Sequence, residues 1–193
     1  MEEIVRKTFF IALIVSLPSC VALAQVPTAG NVFFGYSFYN TNLSSIDRAN
    51  TNGWEATLEG KTLPFLGIVA DFSSHYGSQN FVFPNPPACP VNNPNCGGPS
   101  NASVDVHNYL FGPRASFSVG KFRPFAEGMI GVGHVHSHTV GSDTSFASAL
   151  GGGIDYNLLR IVGWRFQGDY IHTHLFGIGQ DNLRLSTGIV VRF

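Results

Sequence analysis

Long apolar runs and charged side chains are both scarce in this chain of 193 residues. The main apolar run, residues 9–17, is too short to cross a bilayer as a helix, and no other segment could form a spanning helix. Charged residues make up 12% of the chain and the formal net charge is -1, which gives no indication of a nucleic-acid partner. Glycine and aromatic residues are abundant instead, as in β-barrels and secreted β-sandwiches.

The N-terminal segment has the layout of an export signal. A basic pair precedes the apolar run and an Ala-Leu-Ala tripeptide follows it. This pattern predicts a secretory signal peptide over residues 1–24, cleaved after Ala24. The alternative is a lipoprotein signal cut before Cys20, to which the preceding proline is poorly suited. We expect the remaining residues, 25–193, to form one domain.

Only three cysteines are present, and Cys20 lies within the predicted signal. Cys89 and Cys96 remain, in a segment rich in proline and asparagine. An even pair in an exported chain predicts one short-range disulfide, with two free thiols in a loop as the alternative.

Segments of alternating apolar and polar residues recur along the chain. Eight can be marked, at residues 32–39, 54–61, 65–73, 106–118, 122–132, 146–156, 161–171 and 182–193. The connections alternate between short (62–64, 119–121, 157–160) and long (40–53, 74–105, 133–145), with 172–181 intermediate. Short turns at one end and long loops at the other are typical of bacterial outer-membrane barrels. We therefore predict an all-β fold, an eight-stranded antiparallel up-and-down transmembrane β-barrel.

Side-chain parity assigns each residue to the lumen or to the lipid, because successive side chains of a strand point to opposite faces. The predicted polar interior consists of Glu55, Glu59, Asp71, Arg114, Glu127, Asp155, Arg165, Asp169, Arg184 and Arg192. The predicted lipid face includes Tyr109, Phe111, Phe117, Ile130 and Ile154, with Trp54, Trp164, Tyr156, Tyr170 and Phe193 in aromatic girdles. Both charge signs fall inside a narrow barrel, so we expect them to pair across it and to leave no wide pore.

The chain resembles the OmpA-like family of small outer-membrane barrels, in the form without a peptidoglycan-binding domain. The resemblance covers residues 25–193 and is based on the eight-segment layout together with several short motifs. These are Phe111-Gly112-Pro113-Arg114, Arg123-Pro124-Phe125, Ser186-Thr187-Gly188-Ile189 and the terminal Phe193. The resemblance implies a role in envelope integrity, surface contact or limited solute passage. It also implies that Phe193 is a sorting signal for the barrel-assembly machinery, and it implies no cofactor and no catalytic residues.

Seven histidines fall near the predicted extracellular rim: His75, His107, His134, His136, His138, His172 and His174. Parity places His75 inside, and it places His107, His134, His136 and His172 on the lipid side. His134, His136 and His138 are weak candidates for a metal site, since they share one face if the strand continues that far. The alternatives are contact with lipopolysaccharide phosphates, or interfacial polar residues without a ligand.

Three classes of function follow from this arrangement. We predict a structural or surface-interaction protein of the outer membrane, with residues 74–105 as the segment that would contact an extracellular partner. A narrow porin-like channel is the alternative. An enzyme that modifies lipid A would need Ser137 or Ser145, a nearby histidine, and Asp143 or Asp169. Such residues are common in loops, so we expect no enzymatic activity.

Overall fold

Eight β-strands form the body of the protein in a computed structural model that describes residues 29–41, 48–81, 100–137, 141–177 and 179–193. The strands are β1 (Gly30–Thr41), β2 (Ala49–Lys61), β3 (Leu66–Phe81), β4 (Ser100–Ser116), β5 (Phe122–Ser137), β6 (Gly141–Asn157), β7 (Val162–Thr173) and β8 (Gln180–Arg192). A short 3-10 helix, Leu175–Gly177, lies between β7 and β8. Within these described ranges, no helix is long and apolar enough to span a bilayer.

The sheet closes on itself, because each strand pairs antiparallel with the next and β1 pairs with β8. The closing register runs from Asn31 opposite Arg192 to Asn40 opposite Leu183. At the seam, the Gly30 N–H donates to the Phe193 carbonyl at 2.9 Å and the Phe193 N–H donates to the Gly30 carbonyl at 3.2 Å. Closure therefore pairs the first and last strands, whose edges would otherwise be exposed, with each other. The predicted eight-stranded antiparallel barrel is confirmed.

Alternation along each strand separates a lumen from an outer surface. In β1, Phe33 and Ser37 are fully buried, whereas Phe34 and Tyr36 are 62% and 53% exposed. The same contrast recurs around the barrel, where buried polar and charged side chains face inward and large apolar side chains face outward. The period-2 pattern therefore fixes which face of each strand lines the lumen.

The strands reach further from the short turns than the sequence pattern predicts. β3 continues to Phe81 and β4 begins at Ser100, so the predicted loop 74–105 is wrong in its bounds. Residues 77–81 instead pair with residues 100–104 as a two-stranded ribbon. On β3, Ser74 and Ser78 on one face and Gly77 on the other lack the apolar alternation that marks the lower strand segments. On β4 the alternation persists, since Ala102 and Val104 are buried on either side of Ser103. A strand with similar polarity on both faces has no periodic signal in the sequence.

The turn at the end of β4 shows how the short connections are made. Val119 and Phe122 exchange backbone hydrogen bonds of 2.8 and 3.0 Å around Gly120 and Lys121. Gly120 has a φ of 61°, a left-handed conformation that side chains with a Cβ rarely adopt. This glycine permits a two-residue hairpin turn between β4 and β5.

Three predictions lie outside the described residues: the signal peptide over 1–24, the disulfide between Cys89 and Cys96, and the position of His138. They stay predictions.

Candidate functional site

A network of charged side chains occupies the lumen, with Arg184 of β8 at its centre. The Arg184 guanidinium donates to both Asp71 carboxylate oxygens, at 2.7 and 2.8 Å, and to Asp169 at 2.8 Å. The Arg184 Nε also lies 3.3 Å from a Glu55 carboxylate oxygen. All four side chains are at most 1% exposed. Three carboxylates from three strands therefore converge on one planar cation, the geometry that an arginine fork satisfies.

A second cluster lies nearer the short turns. Arg114 donates to Glu127 at 2.5 Å and to Glu59 at 3.4 Å, and Arg123 donates to the other Glu59 oxygen at 3.2 Å. Gln167 links this cluster to the first, because its amide group lies within 3.0 Å of carboxylate oxygens of Glu55, Glu127 and Asp169. The two clusters thus form one continuous polar network across the barrel.

Arg165 anchors the network toward β6 and β7. The Arg165 Nε and Nη2 donate to the two Asp155 oxygens at 2.7 and 3.1 Å. The Arg165 guanidinium also lies 4.7 Å from the centre of the Phe125 ring, and the Arg114 guanidinium lies 4.4 Å from it. Phe125 is therefore in cation–π distance of two guanidinium groups, and it occupies lumen volume between ion pairs.

The structure places the predicted interior residues as follows. Glu55, Glu59, Asp71, Arg114, Glu127, Asp155, Arg165, Asp169 and Arg184 are at most 3% exposed. Arg192 is half-buried at the end of β8 and donates to Asp155 at 3.3 Å. Sequence reasoning missed Arg123, although parity with Glu127 on the same strand would have found it.

Above the charged network, the lumen holds a cluster of apolar side chains together with buried uncharged polar ones. Tyr39, Leu110, Met129, Val135 and Ile171 belong to one cluster of buried side chains, which we call the apolar plug. Tyr39 stacks on His75 with ring centres 4.7 Å apart, and the His75 Nε2 is 2.8 Å from the Ser37 hydroxyl. The described part of the lumen is thus occupied by charged pairs near the short turns, and by a mixture of apolar and uncharged polar side chains toward the ribbon.

Four outward-facing residues lie in one row across β3, β4, β5 and β6: Ser74, His107, His134 and Thr144. We call them the histidine row. The His107 Nδ1 lies 2.8 Å from the Ser74 hydroxyl, and the His134 Nδ1 lies 2.7 Å from the Thr144 hydroxyl. The two imidazole rings are nearly parallel, at 17°, with centres 6.3 Å apart. Across strands, His134 therefore has another histidine as its neighbour.

Two further rim histidines, His136 and His172, have carboxylate neighbours. His172 Nδ1 is 2.7 Å from an Asp181 oxygen, and His136 lies opposite Asp105 in the register of β4 and β5. Among the described residues, no three histidine, cysteine or acidic side chains form a group that could hold a metal ion. His134 and His136 share the outer face, and His138 lies outside the described residues.

The residues considered for catalysis fall into an inner group and a rim group. Asp169 is bound to Arg184 inside the barrel, and Ser137 is buried. The Ser145 hydroxyl accepts from the His174 backbone N–H at 3.2 Å, and the Asp143 carboxylate accepts from the Thr144 backbone N–H at 2.9 Å.

Solved structures of two bacterial proteins share this fold. Neisserial surface protein A superposes with a TM-score of 0.65, at 13% identity, over 86% of this chain and 99% of that chain. The chain has the fold of a small outer-membrane β-barrel. Ail, the attachment invasion locus protein of Yersinia pestis, shares this fold with a TM-score of 0.55, at 14% identity, over 86% of this chain and 98% of Ail. That Ail structure is a complex with the heparin analogue sucrose octasulfate. A scan against protein-family models and a search of curated proteins found no match.

Proposed function

We propose that this outer-membrane-type barrel resides in a bacterial outer membrane and has a structural and surface-interaction role rather than a transport role. The observation that carries the proposal is the filled lumen. Six carboxylates face five guanidinium groups there: Glu55, Glu59, Asp71, Glu127, Asp155 and Asp169 against Arg114, Arg123, Arg165, Arg184 and Arg192. Near-balanced pairs and an apolar plug above them leave little room for a water path.

Single-channel recording separates this role from the alternative, a narrow porin-like channel. The mature chain would be refolded into a planar bilayer after a heat-dependent gel shift has shown that the barrel is folded. We expect no conductance steps, because transport would require the ion pairs and the plug to separate. Reproducible steps from a folded barrel would contradict the proposal and favour the channel.

The ribbon of β3 and β4 is the best candidate for surface contact. β3 pairs with β2 only as far as Tyr76, and β4 pairs with β5 only from Asp105 onward, so the ribbon extends beyond its neighbours. Residues 74–105 contain no lysine or arginine. We therefore do not transfer the sulfated ligand of Ail to this segment, and we propose an uncharged protein surface as its partner.

Attachment of bacteria that display the protein to cultured host cells tests this role. Residues 89–96 would be replaced by a glycine-serine linker of equal length. A heat-dependent gel shift of this variant would show that its barrel is folded. We expect attachment to be lost. Unchanged attachment by the folded variant would contradict the role of this segment.

We also propose that the barrel is not an enzyme. Ser148, His172 and Asp181 form one outward row across β6, β7 and β8, with the composition of a hydrolase triad. However, a methyl group on Gly179 would stand 3.5 Å from the His172 Cε1 and 3.9 Å from its Nε2. Nδ1 contacts Asp181, so both ring nitrogens of His172 have neighbours on the β8 side.

Mass spectrometry of lipid A from a Gram-negative host that expresses the protein tests this absence of activity. We expect an unchanged acyl-chain pattern relative to the same host with a Ser148→Ala variant. A gain or loss of one acyl chain that disappears in the variant would show that the row is catalytic.

A further inference from the structure

We propose that the histidine row binds a phosphate group of an outer-leaflet lipid, an inference that rests on the membrane location proposed above. The first observation is the position of the row. The outward row one step nearer the short turns consists of Phe72, Tyr109, Val132 and Phe146. All four are apolar or aromatic and 44–63% exposed. One register step later the same four strands present Ser74, His107, His134 and Thr144.

This change marks the upper limit of the apolar surface on these strands. The next row outward is polar as well, with Tyr76, Asp105, His136 and Ser142. His107 lies nine residues before the end of β4, so it stands roughly 20–25 Å above the short turn for a strand tilted by about 40°. A barrel's apolar band is about 25 Å tall, which places the histidine row at the level of the outer-leaflet headgroups.

The second observation is the arrangement of hydrogen-bonding atoms. The Nδ1 atoms of His107 and His134 are directed to hydroxyls on the two flanking strands, β3 and β6. When the Ser74 and Thr144 hydroxyls donate to these nitrogens, the proton of each neutral imidazole is on Nε2, which then becomes a donor. The two nearly parallel rings, with centres 6.3 Å apart, then each offer one N–H donor to the same tetrahedral oxyanion.

The third observation distinguishes His107 and His134 from two other rim histidines, His136 and His172. His172 is bound to Asp181, and His136 lies opposite Asp105, so each has a carboxylate beside it that would repel a phosphate. His107 and His134 contact hydroxyls and aromatic rings, including Tyr76 at 6.2 Å from His107. On the outer face, Asp105 lies in the next row outward, on the same strand as His107. We expect removal of its charge to strengthen binding.

The apolar row below the histidines suits the acyl chains of the same lipid. Phe72 and Tyr109 make an edge-to-face contact with ring centres 6.0 Å apart, and both remain exposed to the bilayer. A phosphorylated lipid would place its headgroup on the imidazoles and its chains on these rings. A free phosphate ion would use only the first of these contacts, which makes a membrane lipid the occupant that the surface favours.

The test uses the folded barrel in nanodiscs of digalactosyldiacylglycerol, a lipid without phosphate. Bisphosphorylated lipid A is titrated in while the Cε1–H NMR signals of the histidines are followed, with dephosphorylated lipid A as the comparison lipid. We expect the His107 and His134 signals to shift with the phosphorylated lipid only, and the His172 signal to remain in place. Inorganic phosphate and Zn²⁺ are titrated separately into lipid A-free nanodiscs.

Matched variants measure how much these histidines contribute to the affinity for lipid A. His107→Phe with His134→Phe keeps two aromatic rings and removes both donors, and His172→Phe is the same change at a carboxylate-bound histidine. We expect the double variant to weaken lipid A binding about tenfold or more, since hydrogen bonds to charged groups contribute at least that much. The His172 variant should be unchanged, and Asp105→Asn should bind more tightly.

Each remaining outcome contradicts the proposal. An equal loss in the His172 variant, or equal shifts with dephosphorylated lipid A, would show that the row does not recognise phosphate. Equal shifts with inorganic phosphate would make the site one for free anions, and shifts with Zn²⁺ alone would make it a metal site. A folded barrel whose signals never move would refute only this site, whereas a chain that fails to enter nanodiscs would refute the membrane location as well.

Discussion

Arg184 and Asp71 join opposite parts of the barrel through two parallel hydrogen bonds of 2.7 and 2.8 Å. Arg184 lies on β8 and Asp71 on β3, strands that are not neighbours in the sheet. The pair therefore spans the lumen instead of reinforcing one strand pairing. Its two ends are 113 residues apart in the chain, so no local pattern in the sequence could identify them as partners.

Arg184→Met should destabilise the barrel strongly. The substitution leaves Asp71, Asp169 and Glu55 buried without their shared cation, which costs about 3–5 kcal/mol in comparable cases. The free energy of unfolding in urea, measured by the heat-dependent gel shift in lipid vesicles, checks this value. Arg160→Met is the matched control, since Arg160 is exposed in the turn between β6 and β7 and its loss should cost less than about 0.5 kcal/mol. If the Arg184 variant lost no more unfolding free energy than the Arg160 variant, the lumen network would not be required for stability.

Gly151→Ala should displace the Asp169 carboxylate. A Cβ at this position would stand 1.9 Å from an Asp169 oxygen, so the carboxylate must leave its place beside Arg184. We expect a loss of about 1–3 kcal/mol in the unfolding free energy, as for other overpacked sites. Gly128→Ala on β5 is the control, because a Cβ there meets no atom within 4 Å. A Gly151 variant as stable as the Gly128 variant would contradict this account.

Ile171→Ala should cost more stability than Ile189→Ala. Ile171 is fully buried in the apolar plug, where the cavity left by truncation cannot refill, and a loss of about 2–5 kcal/mol is expected. Ile189 is 49% exposed on the outer face, where lipid chains can occupy the vacated volume. Urea unfolding of both variants in the same vesicles measures the difference. A larger loss at Ile189 would argue against the assignment of lumen and lipid faces.

Both tryptophans should report contact with lipid. Trp54 and Trp164 are each 38% exposed on the outer face. We expect their fluorescence to shift to shorter wavelength when the barrel inserts into vesicles, and to be quenched by lipids with brominated chains. Trp54→Phe and Trp164→Phe variants separate the two signals. A tryptophan that brominated lipid does not quench would contradict its outward position in a membrane.

Much of the barrel wall could be predicted from the sequence. Alternation assigns Glu55 to the lumen and Trp54 to the lipid because a strand's side chains change face at every residue and the two environments differ in polarity. The same pattern fails at the end of β3, where both faces are polar and residues 74–81 were predicted to be loop. The start of β4 was assigned to the same loop, although Ala102 and Val104 keep the alternation there. Arg123 carried the correct parity but was not recognised, since it directly follows a turn.

The sequence by itself determined the number of strands, their antiparallel order and the face on which each charge lies, because these follow from period-2 polarity and from short connections. Only the tertiary structure decided the partners. Closure of β8 on β1 brings Arg184 to Asp71 and Gln167 to Glu55 across the lumen, and inter-strand register places His107 beside His134. Register and closure join residues far apart in the chain, so the contacts that they create leave no local trace in the sequence.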